Sequence, residues 1–173
     1  MNNLLFQNII RWLLLTLIQV FILKQMYTES GFLSYLQIIL YPLFIILLPI
    51  RIPNVLVLLI AFFSGLVVDF FYDSIGVHAA ACVFAAFIRP LALGLFEPRE
   101  GYSVNLSPTK KQFGLGRFMG YASVVMTAYL FFYFSVEAFT FVYIGDILLN
   151  TFFSFLGTMG FVLIYMLIFD PVQ

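Results

Sequence analysis

The run FFSFLGTMGFVLIYMLIF, residues 152–169, carries no charged side chain. A helix needs about 20 apolar residues to cross the hydrocarbon core of a bilayer. LYPLFIILLPI, residues 40–50, is equally continuous in its apolar character. A membrane β-barrel would show short strands alternating apolar and polar residues, so these runs point to helices. The whole chain follows suit: 64% of its 173 residues are hydrophobic and 9% are charged, against about half and about a quarter in soluble domains. The expected fold class is an all-α integral membrane protein. The formal net charge is zero, and without a basic domain nucleic-acid binding is excluded.

Six membrane-spanning helices are expected, over residues 8–23, 32–49, 53–72, 76–96, 118–138 and 146–169. Pro42 is placed to kink the second, Pro53 to open the third, and Arg89-Pro90 to interrupt the fourth. The residues after the first apolar run, KQMYTESG, lack a small-residue cleavage site, so that run is expected to remain as a helix. No room remains for a second domain. The longest connection is the basic loop over residues 97–117, rich in Pro, Gly, Ser and Asn. It is expected to be a cytoplasmic, solvated loop, or more sharply a docking surface for a cytoplasmic protein or anionic headgroups. With both termini in the cytoplasm, Arg11, Arg51, Arg99, Lys110, Lys111 and Arg117 fall inside and only Lys24 outside, as the positive-inside bias requires.

The polar residues within the apolar runs raise the functional question. Asp69 sits roughly 10 Å from the centre of the third span at about 1.5 Å per residue. An aspartate at a span centre costs about 2.5–3.5 kcal/mol on insertion scales, so a partner or water must be at hand. Gly65, Asp69 and Asp73 share one stripe if that helix continues far enough. Asp73 and Ser74 could equally cap the next helix. His78, Cys82, Ala85 and Arg89 share a stripe on the fourth span, flanked by Ala81 and Ala86. Small stripes let helices approach closely in lipid, so this face is expected to point inward. His78 would then lie near Asp69 and Asp73, and Arg89 would snorkel to the far interface or meet a partner there. A polar clasp between the third and fourth spans is the favoured reading. A contact site for another membrane protein, a proton or ion relay and, last, a divalent metal site compete with it.

Elsewhere the signals are weaker. Asn150, Ser154, Gly157 and Thr158, with Gly160 nearby, line one side of the last span and suit helix packing. Trp12, Tyr27, Tyr41, Tyr102 and Tyr143 fall near span ends, where aromatic rings favour the interface. Cys82, the sole cysteine, reads as a small packing residue. No nucleophile stands near a suitable base, so no enzyme, cofactor or resident metal is expected.

The stretch FFSGLVVDFFYDSIGVHAAACVFAAFIRP resembles the signature region of the bacterial rod-shape-determining MreD family. The match is the pattern Gly-Leu-x-x-Asp, then a short turn ending in Gly, then a small-rich helix. Here these are Gly65, Leu66, Asp69, Gly76 and residues 79–86. The resemblance covers about 25 residues of the chain; length and layout agree over the rest. It implies a non-catalytic scaffold of the cell-elongation machinery in the bacterial inner membrane. Its implied partners are a bitopic MreC-like protein, the actin-like MreB and the lateral-wall synthases. It also implies a fold like the substrate-binding subunit of energy-coupling-factor transporters. That likeness supplies the alternative, a small-ligand-binding subunit of a vitamin-type transporter.

Overall fold

The computed structural model describes residues 2–26, 35–74, 76–97, 108–109 and 113–169. Every regular element among them is helical. Helix α1, Asn2–Ile18, runs on into a π-helical turn, Gln19–Leu23, and a 3-10 turn, Lys24–Met26. Next come a single helical turn, α2 (Leu43–Ile46), and four long helices: α3 (Asn54–Tyr72), α4 (Val77–Leu95), α5 (Leu115–Ala138) and α6 (Ile144–Ile168). Among the described residues five helices are long and apolar enough to cross a membrane: α1 with its π turn, and α3 to α6. Large apolar side chains such as Ile9, Phe21, Phe63, Phe70, Phe152 and Ile164 are exposed on them. Water would penalise that surface and lipid does not; the chain is built as an all-α, multi-pass membrane protein.

Helix α3 packs on α4, α4 on α5, and α5 on α6, while α2 touches α1, α4 and α5. The deepest part of the core is the chain from Ile39 to Leu48, nearly all of it buried.

That buried chain corrects the expected second span over residues 32–49. Residues 27–34 lie outside the described set, but residues 36–40 form no helix and α2 is only one turn long. Proline chemistry accounts for the break. Pro42 has no N–H to bond the carbonyl of Ile38, and its ring disfavours the helical conformation at Tyr41. Helical bonds restart only beyond it, with Leu43, Phe44 and Ile45 donating to Leu40, Tyr41 and Pro42 at 2.9–3.0 Å. A second correction runs the other way. Arg89-Pro90 does not interrupt α4, which continues through Pro90 to Leu95. Neighbouring helices commonly support a proline inside a membrane helix.

The α3–α4 crossing is the closest in the bundle for a physical reason. A Cβ on Gly65 would fall 2.7 Å from the backbone nitrogen of Ala79 and 2.8 Å from the carbonyl oxygen of His78. Only a residue without a side chain fits, and backbone meets backbone. Gly65→Ala is therefore expected to cost about 1–3 kcal/mol, the range for overpacking a tight site. Gly94→Ala serves as the control, since nothing lies within 4 Å of its Cβ position. Equilibrium unfolding of both variants in mixed micelles checks the difference; equal stability would show that the crossing is not tight.

Candidate functional site

The turn between α3 and α4 is built around Asp69. Helix α3 ends at Tyr72, and Asp73 turns into the left-handed region at φ 54°. Gly76 follows at φ 81°, where glycine carries no steric penalty. The reversal brings the start of α4 over the Asp69 carboxylate. Oδ1 accepts from the His78 N–H at 2.9 Å and the Ser74 hydroxyl at 2.7 Å, and Oδ2 accepts from the Ala79 N–H at 2.9 Å. Two of the four N–H groups that any helix start leaves free are thus satisfied by a side chain from the preceding helix. A carboxylate at this position also meets the positive end of the helix dipole.

Asp73, expected on the same stripe, is exposed, because the helix stops one residue before it. Ser74 does not cap α4 itself; its hydroxyl orients Asp69, which does.

Next to this turn lies the broken segment, whose non-helical backbone has polar groups to satisfy inside an apolar bundle. Gln19, in the π turn of α1, grips it at two points: Nε2 donates to the carbonyl of Ile38 at 3.1 Å, and Oε1 accepts from Leu40 N at 2.7 Å. The carbonyl gripped is the one that Pro42 leaves without a helical donor. From α6, Ser154 Oγ accepts from Gln37 N at 2.9 Å and Thr158 Oγ1 from Ile39 N at 3.2 Å. At the far end, the Tyr121 hydroxyl donates to Ile46 O at 3.1 Å. The Arg89 guanidinium donates to Leu48 O and, at 3.5 Å, to Pro49 O.

Arg89 is 2% exposed, which corrects the expectation that it snorkels. Its charge faces carbonyls just beyond the end of α2, and Pro49 O also accepts from the Ile52 N–H at 3.4 Å. The Ser154 and Thr158 line, expected to pack helix on helix, binds the non-helical backbone at Gln37 and Ile39 instead. Gly157 between them leaves room for Leu36, whose Cδ1 would lie 2.7 Å from an added Cβ.

The centre of the bundle holds a cluster that the residue pattern did not reveal. His78 is fully buried. Its Nδ1 lies 2.9 Å from the Tyr129 hydroxyl and 3.2 Å from that of Tyr41, and the two hydroxyls are 2.7 Å apart. The Cys82 thiol donates to Tyr41 at 3.2 Å. Rings of Tyr72 and Tyr133 pack on the imidazole with centroids 4.8 and 4.7 Å away. Tyr41, placed by its position near a span end at the interface, is 1% exposed. Pro42 accounts for the difference, because the break turns Tyr41 into the core. Tyr143 is exposed, Trp12 donates to Ser64 Oγ at 2.8 Å, and Tyr27 and Tyr102 lie outside the described residues.

Openings remain among the described residues. A shallow one of about 720 Å³ lies at the α3–α4 turn beside Asp69, Phe70, Asp73 and Gly76. A groove of about 410 Å³ between α1 and α3 is lined almost wholly by apolar side chains around Trp12 and Ser64. A crevice of about 280 Å³ between α5 and α6 is polar, with Gln37, Glu137, Asp146 and Asn150 on its walls. Among the described residues no group of three or more His, Cys, Asp or Glu side chains could hold a metal ion. Most of the basic loop over residues 97–117 lies outside the described set. No protein-family model, curated protein or solved structure matches the chain.

The geometry sets an expected ranking. Gln19→Leu strands a buried N–H and a buried carbonyl, each costing about 1–3 kcal/mol. Asp69→Ala removes the cap on α4, and Asp69→Asn retains an acceptor and should lose less. Asp73→Asn keeps a residue that tolerates the left-handed turn, touches no buried partner and should change stability by less than about 0.5 kcal/mol. Unfolding of the four variants in mixed micelles tests the order; an Asp73→Asn loss equal to that of Asp69→Ala would contradict the assigned roles.

Proposed function

We propose that this chain is a non-catalytic membrane scaffold of the cell-elongation machinery, similar in role to the rod-shape-determining MreD family. The observation that carries the reading is where the signature residues go. Gly65 and Asp69 make the tightest helix crossing and cap the next helix, and Arg89 holds the broken segment. These polar groups serve the chain's own backbone, while the outward surface is apolar and suited to other membrane segments. Such a bundle is a rigid body on which partners assemble, and binding is the whole of its mechanism.

In this reading the partners are a bitopic MreC-like protein, the actin-like MreB on the cytoplasmic side and lateral-wall synthases. The membrane is the bacterial cytoplasmic membrane, with both termini inside, as the lysine and arginine distribution favours. The broken segment supplies the second of six crossings, since it runs from Gln19 at one end of the bundle to Arg89 near the other. The transport-subunit alternative draws on the crevice between α5 and α6. At about 280 Å³ it lies just below the roughly 300–1,000 Å³ of ordinary ligand pockets.

Purification of the tagged protein from its native membrane in mild detergent, with mass spectrometry of what accompanies it, separates the two. Stoichiometric recovery of a bitopic membrane protein or a wall synthase is the expected result. Recovery with an ATPase pair or a tightly held vitamin-like molecule would overturn the scaffold reading.

A further inference from the structure

The hydrogen bonds around His78 have a direction, and it follows from counting protons. The Cys82 thiol gives its proton to the Tyr41 oxygen, because sulfur accepts hydrogen bonds poorly. Each tyrosine then has one proton to give. The Tyr41 and Tyr129 hydroxyls lie within hydrogen-bond distance of each other and of Nδ1. Whichever hydroxyl gives to the other, the last proton is left for Nδ1, which accepts it. If Nδ1 carried a proton instead, one hydroxyl proton of the pair would be left with no oxygen or nitrogen acceptor in the cluster. The imidazole proton therefore sits on Nε2, which has no hydrogen-bond partner among the described residues. Its surroundings include the rings of Tyr72 and Tyr133, and aromatic faces satisfy an N–H weakly.

From this geometry we infer that Cys82, Tyr41, Tyr129 and His78 form a one-way proton-donor relay that latches the broken segment to α4 and α5, and that protonation of His78 at Nδ1 opens it. The inference is independent of the scaffold reading. Protonation makes Nδ1 a donor, so one hydroxyl proton of the tyrosine pair loses its oxygen or nitrogen acceptor within the cluster. It also places a positive charge in the bundle centre. The groups that face it are Asp69 and Tyr72 from α3, Tyr41 from the broken segment, Cys82 from α4, and Tyr129 and Tyr133 from α5. Tyr133 leads on to Glu137 through a 3.4 Å hydrogen bond. Asp69 is the nearest carboxylate by connection, and both its oxygens are already taken by Ser74 and the start of α4. From the turns that continue α1, the uncharged Gln19 donates to the Tyr72 hydroxyl, and the Lys24 ammonium lies 5.2 Å from the centroid of the Tyr72 ring. The least expensive response is to let Tyr41 go, and Tyr41 adjoins Pro42 at the hinge of the broken segment.

The chain has one histidine and one cysteine, so both ends of the relay can be read without mutation. Nitrogen-15-labelled histidine in phospholipid nanodiscs at neutral pH should show a pyridine-type Nδ1 and a pyrrole-type Nε2. The opposite assignment, or an imidazolium at neutral pH, overturns the relay. Cys82 labelling by a dipyridyl disulfide, relative to the same thiol in the denatured chain, reports the latch. It should rise about tenfold per pH unit as the pH falls, in step with the imidazolium fraction. A rate that stays flat while the imidazolium forms overturns the opening step. Tyr41→Phe should raise labelling at neutral pH without acid; labelling no faster than wild type counts against the latch. If that variant does not fold, the two wild-type measurements decide.

Discussion

Non-helical backbone inside an apolar bundle survives only if every N–H and C=O finds a partner in the protein. The rest of this structure depends on meeting that condition for residues 36–50. Gln19 supplies both a donor and an acceptor to the non-helical backbone at Ile38 and Leu40. Ser154 and Thr158 bind it from the opposite side, and Arg89 and Tyr121 take the carbonyls where its short helix ends. The requirement explains why these side chains, costly to insert in a membrane one at a time, occur together. Each is offset by a backbone group that would otherwise be stranded.

The same condition ties the elements into one unit. The segment is bound by α1, α4, α5 and α6, so none of these can shift without breaking a buried hydrogen bond. Helix α3 joins through Asp69, which caps α4, and through Tyr72, whose hydroxyl accepts from Gln19 at 2.9 Å. Gly65 lets α3 and α4 touch closely enough for that cap to form. A bundle wired in this way is stiff at its centre and apolar outside. The proposed scaffold role and the proposed relay at His78 both rest on that combination.

Much of the site could be read in the residues one at a time, and less of it in combination. The inward stripe of His78, Cys82, Ala85 and Arg89 is visible from helical spacing and is buried. The need of Asp69 for a partner follows from its depth in the membrane. The identity of that partner does not, because it depends on Asp73 adopting a left-handed turn that folds α4 back over the carboxylate. Gln19, Tyr41, Tyr121 and Tyr129 carried no usable pattern. Tyrosine near the end of an apolar run looks interfacial, and a lone glutamine in the first span has no partner nearby in sequence. One signal was present: two prolines, Pro42 and Pro49, in a single apolar run, which favour a broken segment over a kinked helix.

By itself the sequence determined that the chain is helical and built for a membrane, because apolar runs of that length admit no other spanning structure. It also placed the ends of α3, α4, α5 and α6 to within about three residues, and the face of α4 that turns inward, although α1 starts at Asn2 and not at residue 8. Only the tertiary structure decided that the second run is a broken, buried segment with a single helical turn, and that the polar side chains of four helices converge on it. Periodicity reports the environment of a residue averaged over one helix. Hydrogen-bond satisfaction is a pairwise matter between residues as far apart as Ile39 and Thr158, and no single stretch of sequence contains both partners.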